Sequence, residues 1–230
     1  MMITANIEVG EIVKKFPNAA LIFKKYQIDY CCGGKRSLED VCIEQRLNIE
    51  TLISELTIAF ENTSQTDTDW SVSPIDNLVV HILQAHHAYL YETLPRLSEL
   101  TIKILRAHGL KHPELENLFK TFHELKLELD SHLIKEETVQ YPAIREYLKT
   151  NNLEDLKKAV DVIEELESEH DNAGAAIKAI RKITKDFFVP EDVCETFRTT
   201  YKLLEELEQN TFTHIHLENN ILFQRLKELQ

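Results

Sequence analysis

Two similarly spaced groups of histidine and glutamate residues are the most informative feature of this 230-residue chain. In each group a single histidine is followed, 44 or 45 residues later, by a His-x-x-x-Glu pair. Neutral imidazoles and carboxylates suit iron, manganese or zinc, and a carboxylate from each group can bridge two ions. The repeated pattern therefore predicts a binuclear metal site. Its six candidate ligands are His87, His132, Glu136, His170, His214 and Glu218.

The spacing within each His-x-x-x-Glu pair is that of neighbouring side chains on a helix. Positions i and i+4 differ by about 40° around an α-helix and by about 6 Å along it, so both side chains project from one face. Apolar neighbours such as Leu133 and Ile221 indicate that these faces point inward. Burying an unpaired polar group costs about 2–7 kcal/mol, and metal ligation would remove that cost.

Other interpretations of the same residue types lead elsewhere. A lone His-x-x-x-Glu is usually a solvated pair, and ferritin-like sites use Glu-x-x-His with more carboxylates than imidazoles. The reverse order and the histidine majority favour a hemerythrin-type site. On an ideal helix Glu137 faces away from His132. Glu169 is interpreted as solvated, with support of its neighbour His170 as the alternative. The remaining histidines are interpreted as surface or supporting residues: His81, His86, His108, His112, His123 and His216.

Composition excludes several classes of function. The formal charge of −13 argues against nucleic acid or an anionic membrane as a partner. No stretch approaches about 18 apolar residues and no leader is recognisable, so neither membrane insertion nor secretion is expected. Four cysteines do not resemble a disulfide framework, which favours the cytoplasm.

The elements that must position the ligands are helices, since the chain contains only five Gly and six Pro. Residues 1–58 are predicted to form a small helical domain, with helices starting at Asn18, Ser37 and Asn48. Polar residues 59–73 are predicted to form a linker.

Residues 74–230 are predicted to form four long helices, each carrying candidate ligands. Short connections between long amphipathic helices imply antiparallel neighbours, hence an up-down-up-down four-helix bundle. Pro95 is expected to kink the first helix. The helices are predicted at about 75–107, 113–149, 153–185 and 190–230.

A second candidate for chemistry is the vicinal pair Cys31-Cys32, which lies in a glycine-containing turn. Nearby cations are expected to lower the thiol pKa, and soft thiolates can hold or accept iron. Adjacent cysteines form only a strained, labile disulfide. The simpler interpretation is two small residues in a tight turn, and Cys42 and Cys194 are interpreted as structural. The flanking cations are Lys24, Lys25, Lys35 and Arg36.

Residues 29–34, Asp-Tyr-Cys-Cys-Gly-Gly, followed by Lys35, resemble the most specific mark of the "repair of iron centres" proteins. The segments 132–137, 169–171 and 214–220 are also similar to that family, and the resemblance covers nearly the whole chain. It implies a hemerythrin-like bundle in which the six candidate ligands hold two iron ions. Glu136 and Glu218 would bridge them with an oxo group, and Cys31 and Cys32 would be the functional thiols.

The function implied by the resemblance is repair of iron–sulfur clusters damaged by nitric oxide or peroxide. Its implied partners are damaged iron–sulfur proteins, nitric oxide or oxygen as small ligands, and a second copy of the chain. Reduction of nitric oxide or peroxide at the di-iron centre is an alternative, and sensing of oxygen or nitric oxide is a weaker one.

Two positions depart from related patterns. Gly174 stands where oxygen-carrying hemerythrins place a further histidine, which favours a more open site, and Gln224 replaces a proline common in the family.

Overall fold

The computed structural model of the protein describes residues 3–61 and 68–230. Across these residues the regular secondary structure is helical, with one isolated bridge between Glu8 and Ser37. The predicted all-α class is therefore confirmed. Contacts divide the chain into two compact units: a first unit of residues 1–78 with 212–230, and a second unit of residues 79–211.

Four short helices begin the first unit. They are α1 (Val9–Lys15), α2 (Ala19–Lys25), α3 (Leu38–Gln45) and α4 (Ile49–Glu61). The Ser37 side chain accepts the Asp40 N–H at 3.0 Å and Asn48 accepts the Thr51 N–H at 2.8 Å, so two of the predicted caps are confirmed. Asn18 precedes α2 without a side-chain capping bond. Of the predicted linker, residues 62–67 lie outside the described part of the chain.

The core of the first unit joins its short helices to the C-terminal segment. Val9, Phe23 and Leu52 are completely buried there, and Ile215 from the C-terminal segment belongs to the same cluster. The predicted domains 1–58 and 74–230 follow the chain, whereas the contacts also bring residues 212–230 to the N-terminal helices.

The four long helices are confirmed, and three of them contain a π-helical turn. The first comprises α5 (Ile75–Ile82), a π turn (Leu83–His87) and α6 (Ala88–His108). The second comprises α7 (Glu114–Lys135), a π turn (Glu136–Gln140) and α8 (Tyr141–Thr150). The third comprises α9 (Leu153–Asp161) and α10 (Ile163–Ile183). The fourth comprises α11 (Glu195–Leu217), a π turn (Glu218–Leu222) and α12 (Phe223–Lys227).

Most of the predicted helix ends agree with the structure. α6 runs through Pro95 and ends before Gly109, and Asn151, with φ of 53°, separates α8 from α9. The predicted start of the fourth helix at Pro190 is wrong, because α11 begins at Glu195. A run of three left-handed residues, 185–187, redirects the chain after α10, and residues 191–192 form a further turn before α11.

In the second unit, α7 packs against both α6 and α10. Leu94, Leu118, Phe122 and Ile177 are buried on these helices and supply the apolar stripe that such packing requires. Within the described residues, no helix combines the length and apolar composition needed to cross a membrane.

Candidate metal centre

Three of the candidate ligands lie at the ends of π turns. His87 is the last residue of the first π turn, Glu136 is the first residue of the second, and Glu218 is the first residue of the third. A π turn inserts a wider loop into an α-helix and changes the direction of the side chains beside it, and such turns are frequent at functional sites. His170 lies within the regular helix α10.

Glu136 is the centre of the candidate ligand set in the second unit. Its side chain is completely buried, with Oε2 3.3 Å from His87 Nε2 and Oε1 3.2 Å from His132 Nε2. The two carboxylate oxygens therefore face different imidazoles. This is the arrangement that a carboxylate shared by two metal ions needs.

The imidazoles of His132 and His170 converge at the spacing of two ligands on one ion. Their Nε2 atoms are 3.0 Å apart. Two nitrogens each about 2.1 Å from a metal and at a right angle would be about 3.0 Å apart. His132, Glu136 and His170 offer ligand atoms within 4.8 Å of one another, all buried. These residues fit a metal ion that takes nitrogen and oxygen ligands.

The outer nitrogens of two of these histidines are held by carboxylates. His87 Nδ1 is 2.8 Å from Glu137 Oε1, and His132 Nδ1 is 2.8 Å from Glu169 Oε2. Burial acts to raise the pKa of Glu169, but hydrogen bonds from Lys135 and His132 outweigh it, so the pKa is lowered. A carboxylate on one ring nitrogen fixes the tautomer and turns the other toward a metal.

The interpretation of Glu169 as solvated was wrong. Glu137, expected to face away from His132, contacts His87 on another helix instead. Glu169 supports His132 on another helix rather than its neighbour His170. The general chemistry of such sites could have indicated these partners, because the second ring nitrogen of a metal-binding histidine needs a hydrogen-bond acceptor.

The His214–Glu218 pair belongs to the first unit. His214 Nε2 and Glu218 Oε2 are 3.2 Å apart, and both side chains are buried. The two residues therefore share one helix face, as their spacing predicts.

A cavity of about 320 Å³ reaches two of the candidate ligands in the second unit. It gives a small molecule room beside the imidazoles. Its lining includes His132, His170, Glu169, Leu129, Asn172 and Ala173.

The Cys31-Cys32 turn is built around a carboxylate. Asp29 Oδ1 accepts backbone N–H bonds from Cys31, Cys32 and Gly33 at 3.2, 3.1 and 3.0 Å. The two sulfur atoms are 3.8 Å apart, so the thiols are not joined. Cys31 is 2% exposed and Cys32 is half-buried.

The expected lowering of the thiol pKa by nearby cations is wrong for Cys31. Burial raises its pKa well above the usual value, and Cys32 and Asp29 raise it further. Two of the four cations are paired with glutamates, Lys25 with Glu55 at 2.9 Å and Arg36 with Glu44 at 2.6 Å.

Comparison with known proteins covers both parts of the chain. Residues 78–226 match the hemerythrin HHE cation binding domain, and residues 5–59 match a domain of unknown function, DUF542. This chain is 34% identical to the iron-sulfur cluster repair proteins YtfE of Escherichia coli O157:H7 and of Enterobacter sp. (strain 638), over 94% of each chain. That of Citrobacter koseri is 33% identical over the same share. The chain belongs to the YtfE family.

Membership of the YtfE family confirms the resemblance and the hemerythrin-like fold expected from the sequence. The cation-binding match includes all six candidate ligands, and the N-terminal match includes Cys31 and Cys32. A metal-binding domain is therefore shown by family as well as by the clustering of buried His and Glu.

In this YtfE-family chain, Asn220 joins the cysteine turn to the C-terminal segment. Its side-chain amide donates to the Cys31 carbonyl at 3.0 Å and lies 3.2 Å from His216 Nδ1. Burial lowers the pKa of His216 to about 4, so the ring is neutral and can accept that bond. A Cβ at Gly34 would be 2.5 Å from Asn220 Oδ1, so this approach requires glycine.

Two histidines interpreted as surface or supporting residues are buried. His86 Nδ1 is 3.2 Å from Asn210 Oδ1, and His216 packs edge-on against Tyr30. Both support the segments that carry the candidate ligands His87 and His214.

Proposed function

We propose that this chain repairs iron–sulfur clusters damaged by nitrosative or oxidative stress, supplying iron from a labile di-iron centre with the help of vicinal thiols. The single observation that carries the proposal is the position of buried Glu136, whose two oxygens each face a different imidazole. The name of the relatives, iron-sulfur cluster repair protein, supplies the class of reaction.

The six candidate ligands are proposed to hold two iron ions, with Glu136 and Glu218 bridging them beside an oxo group. Glu137 and Glu169 support this assignment, since they hold the Nδ1 atoms of His87 and His132 and leave the Nε2 atoms for metal. The iron is cargo in this proposal. The protein residues bind it, orient the ligands and limit its contact with water.

Cys31 and Cys32 are proposed to receive iron on its way to a client. The contact of Asn220 with the Cys31 carbonyl supports this role, because Asn220 lies two residues beyond Glu218 in the same π turn. Soft thiolates accept iron readily.

The proposed clients are damaged iron–sulfur proteins in the cytoplasm. A homodimer in which the thiols of one chain serve the partner chain is compatible with the proposal. Sedimentation at several protein concentrations would test that association.

A repair assay tests the main proposal. Iron-loaded protein is mixed anaerobically with a purified [4Fe–4S] enzyme inactivated by nitric oxide, and the recovery of its activity is followed. Wild-type protein should contain about two irons per chain and restore activity. Cys31→Ala/Cys32→Ala should keep the bundle iron and lose most of the restoration, whereas the matched control Cys42→Ala should retain both.

Two outcomes would contradict the proposal. Equal restoration by the double variant would refute the proposed role of the thiols. Finding only zinc in protein purified from iron-replete cells would refute the proposed di-iron centre.

Reduction of nitric oxide or peroxide is a second candidate, favoured by the cavity beside His132 and His170. Gly174, one turn beyond His170, stands where oxygen carriers place a further imidazole. A bound di-iron centre would supply the redox chemistry. Sustained turnover of nitric oxide with an electron donor supports this activity, and stoichiometric binding alone contradicts it.

A further inference from the structure

The geometry points to a second metal site, made by Asp29, Cys31 and Cys32, that takes one divalent cation with affinity for thiolates. Ferrous iron is the natural occupant, a choice that rests on the proposed repair function. The sequence points to Cys31 and Cys32 as functional thiols, whereas the Asp29 carboxylate becomes a candidate ligand only through the structure.

The distances within the turn suit three ligands on one ion. The sulfur atoms are 3.8 Å apart, and the Asp29 carboxylate is 3.3 Å from the Cys31 sulfur. Two sulfurs about 2.3 Å from a tetrahedral ion would be about 3.8 Å apart, and a sulfur and an oxygen about 3.6 Å apart. All three residues offer ligand atoms within 4.8 Å of one another. Only small movements are needed to close the site around an ion.

The Asp29 carboxylate is already oriented for this role. Three consecutive backbone N–H groups, from Cys31 to Gly33, converge on its Oδ1. They fix the carboxylate beside the sulfur atoms, as supporting hydrogen bonds do for metal ligands elsewhere. A ligand oriented before binding loses little conformational entropy when the ion arrives.

The ligand set favours a borderline or soft cation held loosely. Two thiolates and one carboxylate carry three negative charges and suit iron(II), zinc or cobalt rather than magnesium. Three protein ligands leave a fourth position for water or for a client's ligand, unlike closed structural sites with four. Binding forms two metal–sulfur bonds and releases two thiol protons to solvent, with no electron transferred.

Sulfur distinguishes this site from the bundle ligands, which are all nitrogen and oxygen donors. Cobalt(II) added anaerobically to the full-length metal-free protein should therefore give a sulfur-to-cobalt charge-transfer absorption from the turn and none from the bundle ligands. The expected result is one such cobalt per chain, displaced only by a large excess of ferrous iron, which binds such ligands more weakly than cobalt. Glu136→Gln should leave this absorption unchanged.

Variants of the turn test the three ligands separately. Cys32→Ser should abolish the charge-transfer absorption of the pair. Asp29→Asn should weaken cobalt binding at least tenfold, because it removes the charge while the amide oxygen still accepts the three N–H bonds. Asp40→Asn, an exposed carboxylate at the start of α3, is the matched control and should bind as wild type.

The proposal is overturned if wild-type protein gives no sulfur-to-cobalt absorption, or if Asp29→Asn binds cobalt as tightly as wild type. Far-ultraviolet circular dichroism checks that each variant is folded. Failure of the repair assay with the cobalt site intact would contradict the repair function alone. A working repair assay without the cobalt absorption would contradict the turn site alone.

Discussion

Glu169 Oε2 lies 2.8 Å from His132 Nδ1, so a carboxylate on α10 fixes an imidazole on α7. Lys135 in turn contacts Glu169 and also Glu165. The candidate metal centre is thus supported by a short chain of charged groups on two neighbouring helices. Glu169, Lys135 and Glu165 can each be replaced without replacing a proposed ligand.

Replacing Glu169 should weaken metal binding without removing a ligand. Glu169→Gln takes away the charged acceptor of His132 Nδ1, and losing such a partner typically lowers metal affinity about 10–100-fold. Competition with a chelator measures the change. Glu165→Gln is the control, because Glu165 contacts the same lysine, and its affinity should stay within about threefold of wild type. Equal losses in both variants would show that Lys135, not Glu169, is responsible.

The Arg181–Glu208 pair should dominate the local stability of the second unit. Glu208 is 2% exposed, and Arg181 Nε donates to its Oε1 at 2.8 Å. Glu208→Gln leaves a largely buried guanidinium without its buried charge partner, which costs about 3 kcal/mol. Calorimetry should give a Tm lowered by about 6–12 °C.

Asp186→Asn provides the comparison for that pair. Asp186 also contacts Arg181, at 3.0 Å, but its side chain is 60% exposed. Exposed pairs contribute at most about 1 kcal/mol, so the Tm should fall by no more than about 4 °C. A decrease as large as that of Glu208→Gln would refute the assignment.

A side chain at Gly34 should disturb the cysteine turn. Its Cβ would stand 2.5 Å from Asn220 Oδ1 and 2.7 Å from the Tyr30 carbonyl. Gly34→Ala should therefore destabilise the protein by about 1–3 kcal/mol, measured by denaturant unfolding. In an Asn220→Ala background the same change should cost less, because one of the two clashes is gone. Identical costs in both backgrounds would mean that the clash with Asn220 is unimportant.

Cys194 should be the thiol that reacts fastest near neutral pH. A hydrogen bond with His108, whose Nε2 is 3.1 Å away, lowers its pKa to about 7, aided by backbone N–H groups of α11. Because the thiolate is the reactive form, alkylation should accelerate as the pH rises through about 7. The side chain is exposed, so the interpretation of Cys194 as structural is not supported.

Peptide mass spectrometry after brief treatment with iodoacetamide measures this reactivity at each cysteine. His108→Gln should move the midpoint for Cys194 toward the ordinary value of 9.0. Buried Cys42 serves as the internal reference and should remain unlabelled in the folded protein. An unchanged midpoint in the variant would exclude His108 as the cause.

The candidate ligands could be identified from the sequence because their spacing is local. His132 and Glu136, like His214 and Glu218, share a helix face that four residues of sequence already define. The same reasoning could not find Glu169 as the partner of His132, since that contact depends on how α7 and α10 pack.

Other features depended on tertiary contacts or on irregular backbone. Lys25 and Arg36, which the sequence suggested would lower the thiol pKa, are paired with Glu55 and Glu44. Three left-handed residues follow α10, and two of them, Lys185 and Phe187, are of types that rarely adopt that conformation.

The π turns also bear on how this chain can change length. Each holds one residue more than the α-helical path it replaces. Deleting Asn219 would remove the extra residue and make the last helix regular, a change that the helix propensities of the remaining residues do not oppose. Side chains beyond the turn would keep their direction, because only the extra residue is lost, whereas Asn220 would take the place of Asn219, about 100° around the helix. Asn220 would then turn away from the Cys31 carbonyl, so a shorter and locally more ideal helix would separate the two chemistries of this chain.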